Sequence, residues 1–443
     1  MSNTLTKNKT STKEGYKKTK LGWIPEEWET KILGEFFEFK NGLNKEKEFF
    51  GYGTPIINYM DVNKKGSLML DDINGKVSLS ESEIQRFNIK KGDVFFTRTS
   101  ETIDEIAYST VLVEDVKDGV FSGFVLRARP RKLGELDINF TKYCFSTYIA
   151  RKEIMSKSTF TTRALTNGRF LSEVNLLIPP LPEQHKIAKI LSTWDKAIAL
   201  QDRLIKQKQT LKKGLMQDLL TGKQRFPGFE EEWSTPIINE VFNFIKTTSF
   251  SRAQLNYSDK NQIYYIHYGD IHSKYKKPIL DLEETQEIPK LNSDIKLPNS
   301  IQYLKNGDVI IADASEDYNG VGKAIELQNV NEKKVISGLH TFALRDKKDL
   351  TTSGFRAYIF KNPLVKKALK TIATGSKVYG ISKGNVQKFQ IVLPSIEEQK
   401  KIASVLSNFD TEIEKLITHK ESLIQQKQGL MQQLLSGEKR VKI

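Results

Sequence analysis

The strongest constraint on this chain is that a long stretch of it occurs twice, at residues 178–222 and 392–437. An offset of 215 residues carries Gln184 onto Gln399 and Gly222 onto Gly437 with no gap between them. At that offset Ile187-Ala188, Leu191-Ser192, Asp195, Ile198, Gly214-Leu215-Met216-Gln217 and Leu219-Leu220 all recur. Each copy reads as one long helix. Pro182 stands just before the first start and Pro394 a few residues before the second. Glu183, Glu397 and Glu398 place negative charge in the first turns, where the helix dipole favours it. Gly222 and Gly437 are placed as stops. Apolar residues follow a 3–4 spacing: Ile187, Leu191, Trp194, Ile198, Leu204, Leu211, Leu215 and Leu219 in the first copy, with Ile402, Leu406 and Phe409 opening the second. Such a seam suits a coiled coil. Each helix is about 55–60 Å long at 1.5 Å per residue. An apolar stripe needs a partner in water, and the other copy supplies it. The first helix delivers the chain to a second domain, so a second helix packed along it runs back, antiparallel.

The repeat is larger than the helix. Glu26-Glu27-Trp28 returns as Glu231-Glu232-Trp233, and Gly92-Asp93-Val94 as Gly307-Asp308-Val309. Ser122-Gly123 matches Ser337-Gly338, Phe140 and Tyr143 match Phe355 and Tyr358, and residues 54–62 resemble 263–271. Between these points the halves diverge. Each unit is a short motif, a globular domain and a long helix. Runs of β-branched and aromatic residues bounded by Gly, Asp and Asn predict strands over 53–60, 93–97 and 120–128 and their counterparts. A helical segment follows over 140–155 or 355–372, then a strand over 175–178 or 390–393. The expected class is α+β, two β-rich domains on a helical rod. The expected boundaries are a disordered basic arm at 1–20, domains at 21–180 and 223–394, helices at 181–222 and 395–437, and a tail at 438–443.

The formal net charge is +15, an excess that points to a polyanionic partner. One cysteine, Cys144, excludes a disulfide framework and a Cys-based zinc site. The five histidines show no ligand spacing. No signal peptide and no long apolar run stands out, which predicts a cytoplasmic protein with no membrane partner. Asn319-Gly320-Val321-Gly322-Lys323-Ala324 lacks the first glycine and the Ser/Thr of a phosphate loop. No dinucleotide fingerprint, amino-methyltransferase Pro-Pro-aromatic run or Ser/His/Asp motif is present. The chain is therefore read as doing no covalent chemistry.

The order of these parts carries a resemblance. A Gly/Ile/Pro–Glu–Glu–Trp opener, a variable domain, a helix start of the type Pro182-Glu183-Gln184-His185-Lys186-Ile187-Ala188, a long helix, and the same again with Glu397-Glu398-Gln399-Lys400-Lys401-Ile402-Ala403, is similar to the specificity subunit of type I restriction–modification systems. The resemblance covers nearly the whole chain past residue 20. It implies two β-rich α/β target recognition domains joined by two long antiparallel helices, an intramolecular coiled coil with an internal pseudo-twofold repeat. Each domain would read one half of a bipartite, asymmetric site in double-stranded DNA. Two modification (methyltransferase) subunits would bind S-adenosylmethionine and methylate adenine. Two restriction (nuclease and translocase) subunits would use ATP and Mg. The specificity chain itself would hold no cofactor and no metal.

Base edges are read by Arg, Lys, Asn, Gln and small hydroxyls. Two loops per domain are candidates: Thr97-Arg98-Thr99-Ser100 with Thr161-Thr162-Arg163 in the first, and Ser315 through Asn319 to Lys323 with Ser376-Lys377-Val378-Tyr379 in the second. Asn58 and Tyr59 correspond to His267 and Tyr268 in matched segments with different side chains. Gly214-Leu215-Met216-Gln217 and Gly429-Leu430-Met431-Gln432 are candidates for the partner-subunit interface, being repeated more faithfully than mutual packing requires. A coiled-coil adaptor would share the seam and the repeat, but it needs neither two divergent domains nor the charge. A metal-dependent nuclease is the other alternative.

Overall fold

The computed structural model describes residues 13–63, 66–258, 262–285 and 287–443. The chain divides into two compact units, one comprising residues up to 201 with 419–443, the other residues 202–418.

In unit one a five-stranded sheet has the order Phe37–Asn41, Val125–Pro130, Val94–Thr97, Ser109–Leu112, Ser67–Leu68. All pairs are antiparallel except the last, which is parallel. Val94–Thr97 is buried throughout, so its sequence is an unbroken run instead of an alternation. Unit two repeats this sheet as Phe242–Ile245, Thr341–Asp346, Val309–Ala312, Ala324–Gln328, Ile279–Asp281, with the same directions. The repeated Gly-Asp is the turn into the central strand. Gly92 and Gly307 have φ of 88° and 78°, in the left-handed region that disfavours a Cβ. Asp93 accepts from the Lys90 backbone and takes both arms of Arg129, at 2.8 and 2.6 Å. Asp308 does the same with Lys305 and Arg345, at 2.9 and 2.6 Å.

Several elements differ from expectation. The strand predicted over 120–128 is two, Val120–Phe121 and Val125–Pro130. Between them Ser122 and Gly123 donate to the Ile57 and Leu43 carbonyls, which turns the chain from one sheet to another. The first strand is Phe50–Ile57, and a one-turn helix, Tyr59–Val62, follows because Asp61 accepts from the Asn58 N–H. The single helical segment is a broken pair, Ile138–Cys144 and Tyr148–Lys157, the second capped by Thr147. Unit two has Arg356–Ile359 and Pro363–Thr371, capped by Asn362. Strand Asn175–Ile178 forms as predicted and pairs with Glu29–Ile32. Its counterpart at 390–393 makes only isolated bridges, Ile237 to Gln390 and Ser234 to Leu393. The basic arm is not structureless up to residue 20: Tyr16–Thr19 is a strand paired with Gly22–Pro25, and the Tyr16 hydroxyl donates to the Gly437 carbonyl at 2.9 Å. Residues 1–12 of that arm lie outside the described residues.

The long helices are Leu181–Thr221 and Ile396–Leu435. Pro182 sits inside the first turn, not before it, where its missing N–H costs nothing. Within each unit the helices lie antiparallel. In unit one Asp195 meets Lys427 at 2.5 Å. In unit two Lys212 meets Asp410 at 2.5 Å, and Lys208 meets Glu412 at 2.7 Å. Ile187, Ala188 and Leu191 join Leu434 and Leu435 in the core of unit one, and Leu219 and Leu220 join Ile402, Ala403 and Leu406 in that of unit two. The seam is narrower than the spacing predicted. Leu211 is 57% exposed and Leu204 is also exposed, while Ile205 is buried. The heptad through Leu191 and Ile198 reaches Ile205, and Leu204 lies one position round the helix from it.

The polar residues of the repeat fasten each domain to both helices. Glu183 is buried and accepts from the Trp28 indole N–H at 2.8 Å and from Arg440 at 2.9 and 3.1 Å. Glu398 accepts from Trp233 at 2.9 Å and from Arg225 at 3.1 and 2.8 Å. These acids stand in the first helix turns as the sequence suggested, and the fold also makes them buried clamps. Gln184 accepts from the Asp137 backbone and donates to the Pro179 carbonyl; Gln399 does the same with Thr352 and Pro394, every bond being 2.9 Å. Tyr143 and Tyr358 donate to Asp195 and Asp410 at 2.5 and 2.9 Å. Burial, reinforced by the adjoining carboxylate, pushes both phenols up. Burial works to raise the Asp195 carboxyl, but hydrogen bonds from Lys142, Lys427 and Tyr143 outweigh it and leave it below its usual range.

Candidate nucleic-acid interface

In each unit the sheet edge brings together loops far apart in sequence. Thr99–Ser100 pairs with Ala164–Leu165, which pairs with Thr159–Phe160, so residues 97–100 lie beside the 161–163 turn. In unit two Ala314–Ser315 pairs in the same way with Tyr379–Gly380. The backbone agreement is close. Arg98 N–H donates to the Phe124 carbonyl at 3.3 Å, and the Arg98 carbonyl accepts from Thr166 at 3.0 Å. Asp313, its counterpart, donates to His340 at 3.1 Å and accepts from Ile381 at 2.8 Å. A third loop joins them. Ser122 donates to the Ile57 carbonyl at 2.9 Å, and Gly338 to the Ile266 carbonyl at 3.0 Å. Asn58 and His267 are thereby held alongside.

Side chains sort the candidates. Thr97 and Ser315 are buried and cannot reach a base edge; they belong to the core beneath the loop. Thr161, Thr162, Arg163, Ser376 and Lys377 are exposed, and Arg163 pairs with Glu101 at 3.1 Å. Arg98 and Thr99 are half-buried, and Arg98 Nη1 donates to the Gly123 carbonyl at 2.8 Å. Asn58 and Tyr59 are half-buried, and Asn58 Nδ2 donates to Ile56 at 3.3 Å. His267 Nδ1 accepts from Gly269 at 3.0 Å and so caps a short helix. Burial, then the charge of Arg252, holds its imidazole below the usual value. Tyr268 meets the His340 ring edge-on at 5.3 Å, and Tyr379 meets Tyr318 at 5.1 Å. Lys323 donates to the His272 carbonyl at 3.1 Å, and burial lowers its ammonium pKa. The exposed Asn319 accepts from Lys370 at 2.6 Å.

Four residues escaped the sequence reading. Phe124 is 69% exposed, and Leu339 is exposed too, although the backbone bonds put His340 in the place of Phe124. The signal was present, since both directly follow the repeated Ser-Gly. Asp313 and His340 join them in the second cluster.

The repeated Gly-Leu-Met-Gln stretches divide between two roles. Leu215 and Met216 pack on the core of unit two, and Leu430 and Met431 on that of unit one. Gln432 accepts from the Tyr148 backbone at 2.8 Å, while Gln217 is exposed. A Cβ added to Gly214 or Gly429 meets nothing within 4 Å. Internal packing thus accounts for the apolar pair but not for either glycine. Among the described residues no group of three or more His, Cys, Asp or Glu side chains could hold a metal ion, and no helix is long and apolar enough to cross a membrane.

A duplicated scaffold with matched loop clusters and unmatched side chains defines a protein with two recognition modules of different content. The chain belongs to the family of type I restriction modification DNA specificity domains, whose sequence model matches residues 25–208 and again 230–425. It is 24% identical over 97% of its length, and 97% of the relative's, to the putative type I restriction enzyme MjaX specificity subunit of Methanocaldococcus jannaschii. Over 38% of its length it is 27% identical to the EcoKI specificity subunit of Escherichia coli, covering 36% of that protein. Its fold resembles the type I restriction–modification S subunit of M. genitalium, with a TM-score of 0.51 at 16% identity, covering 93% of this chain and 96% of that one. A chain solved in a study of type I complex assembly and conformational transition gives a TM-score of 0.59 at 17% identity, covering 94% and 99%.

Proposed function

We propose that each domain of this specificity chain reads one half of a bipartite, asymmetric site in duplex DNA, and that the chain itself does no chemistry. The observation that supports this best is the pairing of Thr99–Ser100 with Ala164–Leu165 and of Ala314–Ser315 with Tyr379–Gly380. The same loops meet on the same scaffold in both units, but with different side chains. The +15 charge supplies phosphate affinity, and the loop clusters supply discrimination. Arg98, Thr99, Thr161, Thr162 and Arg163 act in the first domain, and Lys323, Ser376, Lys377 and Tyr379 in the second. Two modification subunits carrying S-adenosylmethionine dock on the helices, at the open faces around Gly214 and Gly429. There they methylate adenine. Two restriction subunits, with ATP and Mg, complete the cytoplasmic nuclease. The test is domain exchange. Replacing residues 28–180 with the same region of a relative should change one half of the methylated sequence in the assembled methyltransferase. A change in both halves, with the fold intact, would refute the two-reader assignment.

A further inference from the structure

The two loop clusters carry opposite chemistry at one equivalent position. Arg98 and Asp313 are related by the 215-residue offset, by the strands they follow and by matched backbone hydrogen bonds on both sides. Arg98 can only donate and Asp313, when ionised, can only accept. Both side chains are half-buried and left incomplete: among the described residues the one hydrogen bond of the Arg98 guanidinium is from Nη1 to the Gly123 carbonyl, and Asp313 Oδ2 has no protein partner. His340 Nδ1 lies 3.3 Å from Asp313 Oδ1 and is its one basic neighbour at ion-pair distance among the described residues. Asp313 also lines an open pocket of about 390 Å³ with Lys246, Thr248, Leu339, His340 and Lys383.

A carboxylate on a surface meant for a polyanion is repelled by every phosphate, so it has a use there only toward a group that donates. In the grooves of DNA that group is an exocyclic amine: cytosine N4 in the usual acidic pairing, with adenine N6 the other major-groove amine. An arginine fits the opposite pattern, the O6 and N7 acceptors of guanine. From this contrast we infer that Arg98 and Asp313 are the matched specificity residues of the two domains. Arg98 faces a guanine in the first half-site, and Asp313 faces a base offering an amine, cytosine first, in the second. The inference rests on the two-reader assignment above. Burial pushes the Asp313 carboxyl up against the opposing pull of His340, and a base donor would favour its ionised form.

The experiment uses the full chain assembled with its modification subunits and measures competition among duplexes carrying each base at each position of the methylated site. Asp313→Asn should cost about tenfold or more in discrimination at a single position of the second half-site. The first half-site should be unchanged. Arg98→Gln should give the mirror result, one relaxed position in the first half-site alone. Uniform weakening at all positions would show a structural role for Asp313 and overturn the inference. So would unchanged discrimination, while the two-reader assignment stood. A wild-type complex with no defined bipartite site would instead overturn that assignment, and this inference with it.

Discussion

The clamp at Glu183 permits a quantitative test. Arg440→Ala removes both guanidinium contacts and leaves a carboxylate that is 0% exposed with only the Trp28 indole N–H. Removing one partner of a fully buried pair costs about 3–5 kcal/mol. Arg440 is itself 34% exposed, so water reaches the site and the cost should fall to about 2–3 kcal/mol. Its second contact, to the largely exposed Glu27, is screened by water and adds little. Glu183→Gln keeps an acceptor for Trp28 and leaves Arg440 free to turn to Glu27 and water, at about 1–2 kcal/mol. In the double variant no charge remains buried, so it should be more stable than Arg440→Ala alone, with a coupling of about 1 kcal/mol or more. Urea unfolding followed by tryptophan fluorescence measures each corner. Arg225→Ala is the matching lesion against Glu398 in unit two, and the transition that each lesion moves identifies its unit. A cost below about 0.5 kcal/mol for Arg440→Ala, or a double variant no better than the single, would refute the clamp.

Two further outcomes are expected. Burial, then the nearby Lys212, holds the Lys361 ammonium at about 8 against an ordinary 10.5. The unfolded state therefore binds more protons between those values, and wild-type stability rises with pH across that window. Lys361→Met should stabilise unit two at pH 7 by on the order of 1–3 kcal/mol, an advantage that shrinks through pH 8 and is gone above about 10.5 in melts of variant and wild type. Gly214→Leu and Gly429→Leu place side chains in open space and should raise helix stability by about 0.5–1 kcal/mol. Each should weaken assembly with the modification subunits in a titration by native mass. Unimpaired assembly would show that nothing docks closely on those glycines.

Much of this protein is legible in its sequence. The gap-free repeat alone pointed to a duplicated scaffold and to two long helices with their stops, because helix ends and apolar stripes are written in local residue types; that each compact unit takes a part of both helices was not written there. Asn175–Ile178 and Val94–Thr97 were recognisable as strands for the same reason, since their side chains are buried on both faces. What the sequence could not decide was where polar side chains go. Glu183 and Glu398 look like dipole charges from their position in a first turn. Only the fold, by bringing Trp28 with Arg440 and Trp233 with Arg225 to them, makes them buried clamps. Leu204 and Ile205 are equally apolar, and which one is buried depends on how the second helix lies against the first. Thr97 and Arg98 are neighbours in one candidate loop, and the end of a strand separates a core hydroxyl from a half-buried guanidinium. The 215-residue offset aligns Asp313 with Arg98, but only the hydrogen bonds from Thr166 and Ile381, distant in sequence, show that both stand in the same loop setting. Local patterns select elements through short-range sterics and burial, while a site is a meeting of segments that share no sequence neighbourhood, and only tertiary packing decides which of them meet.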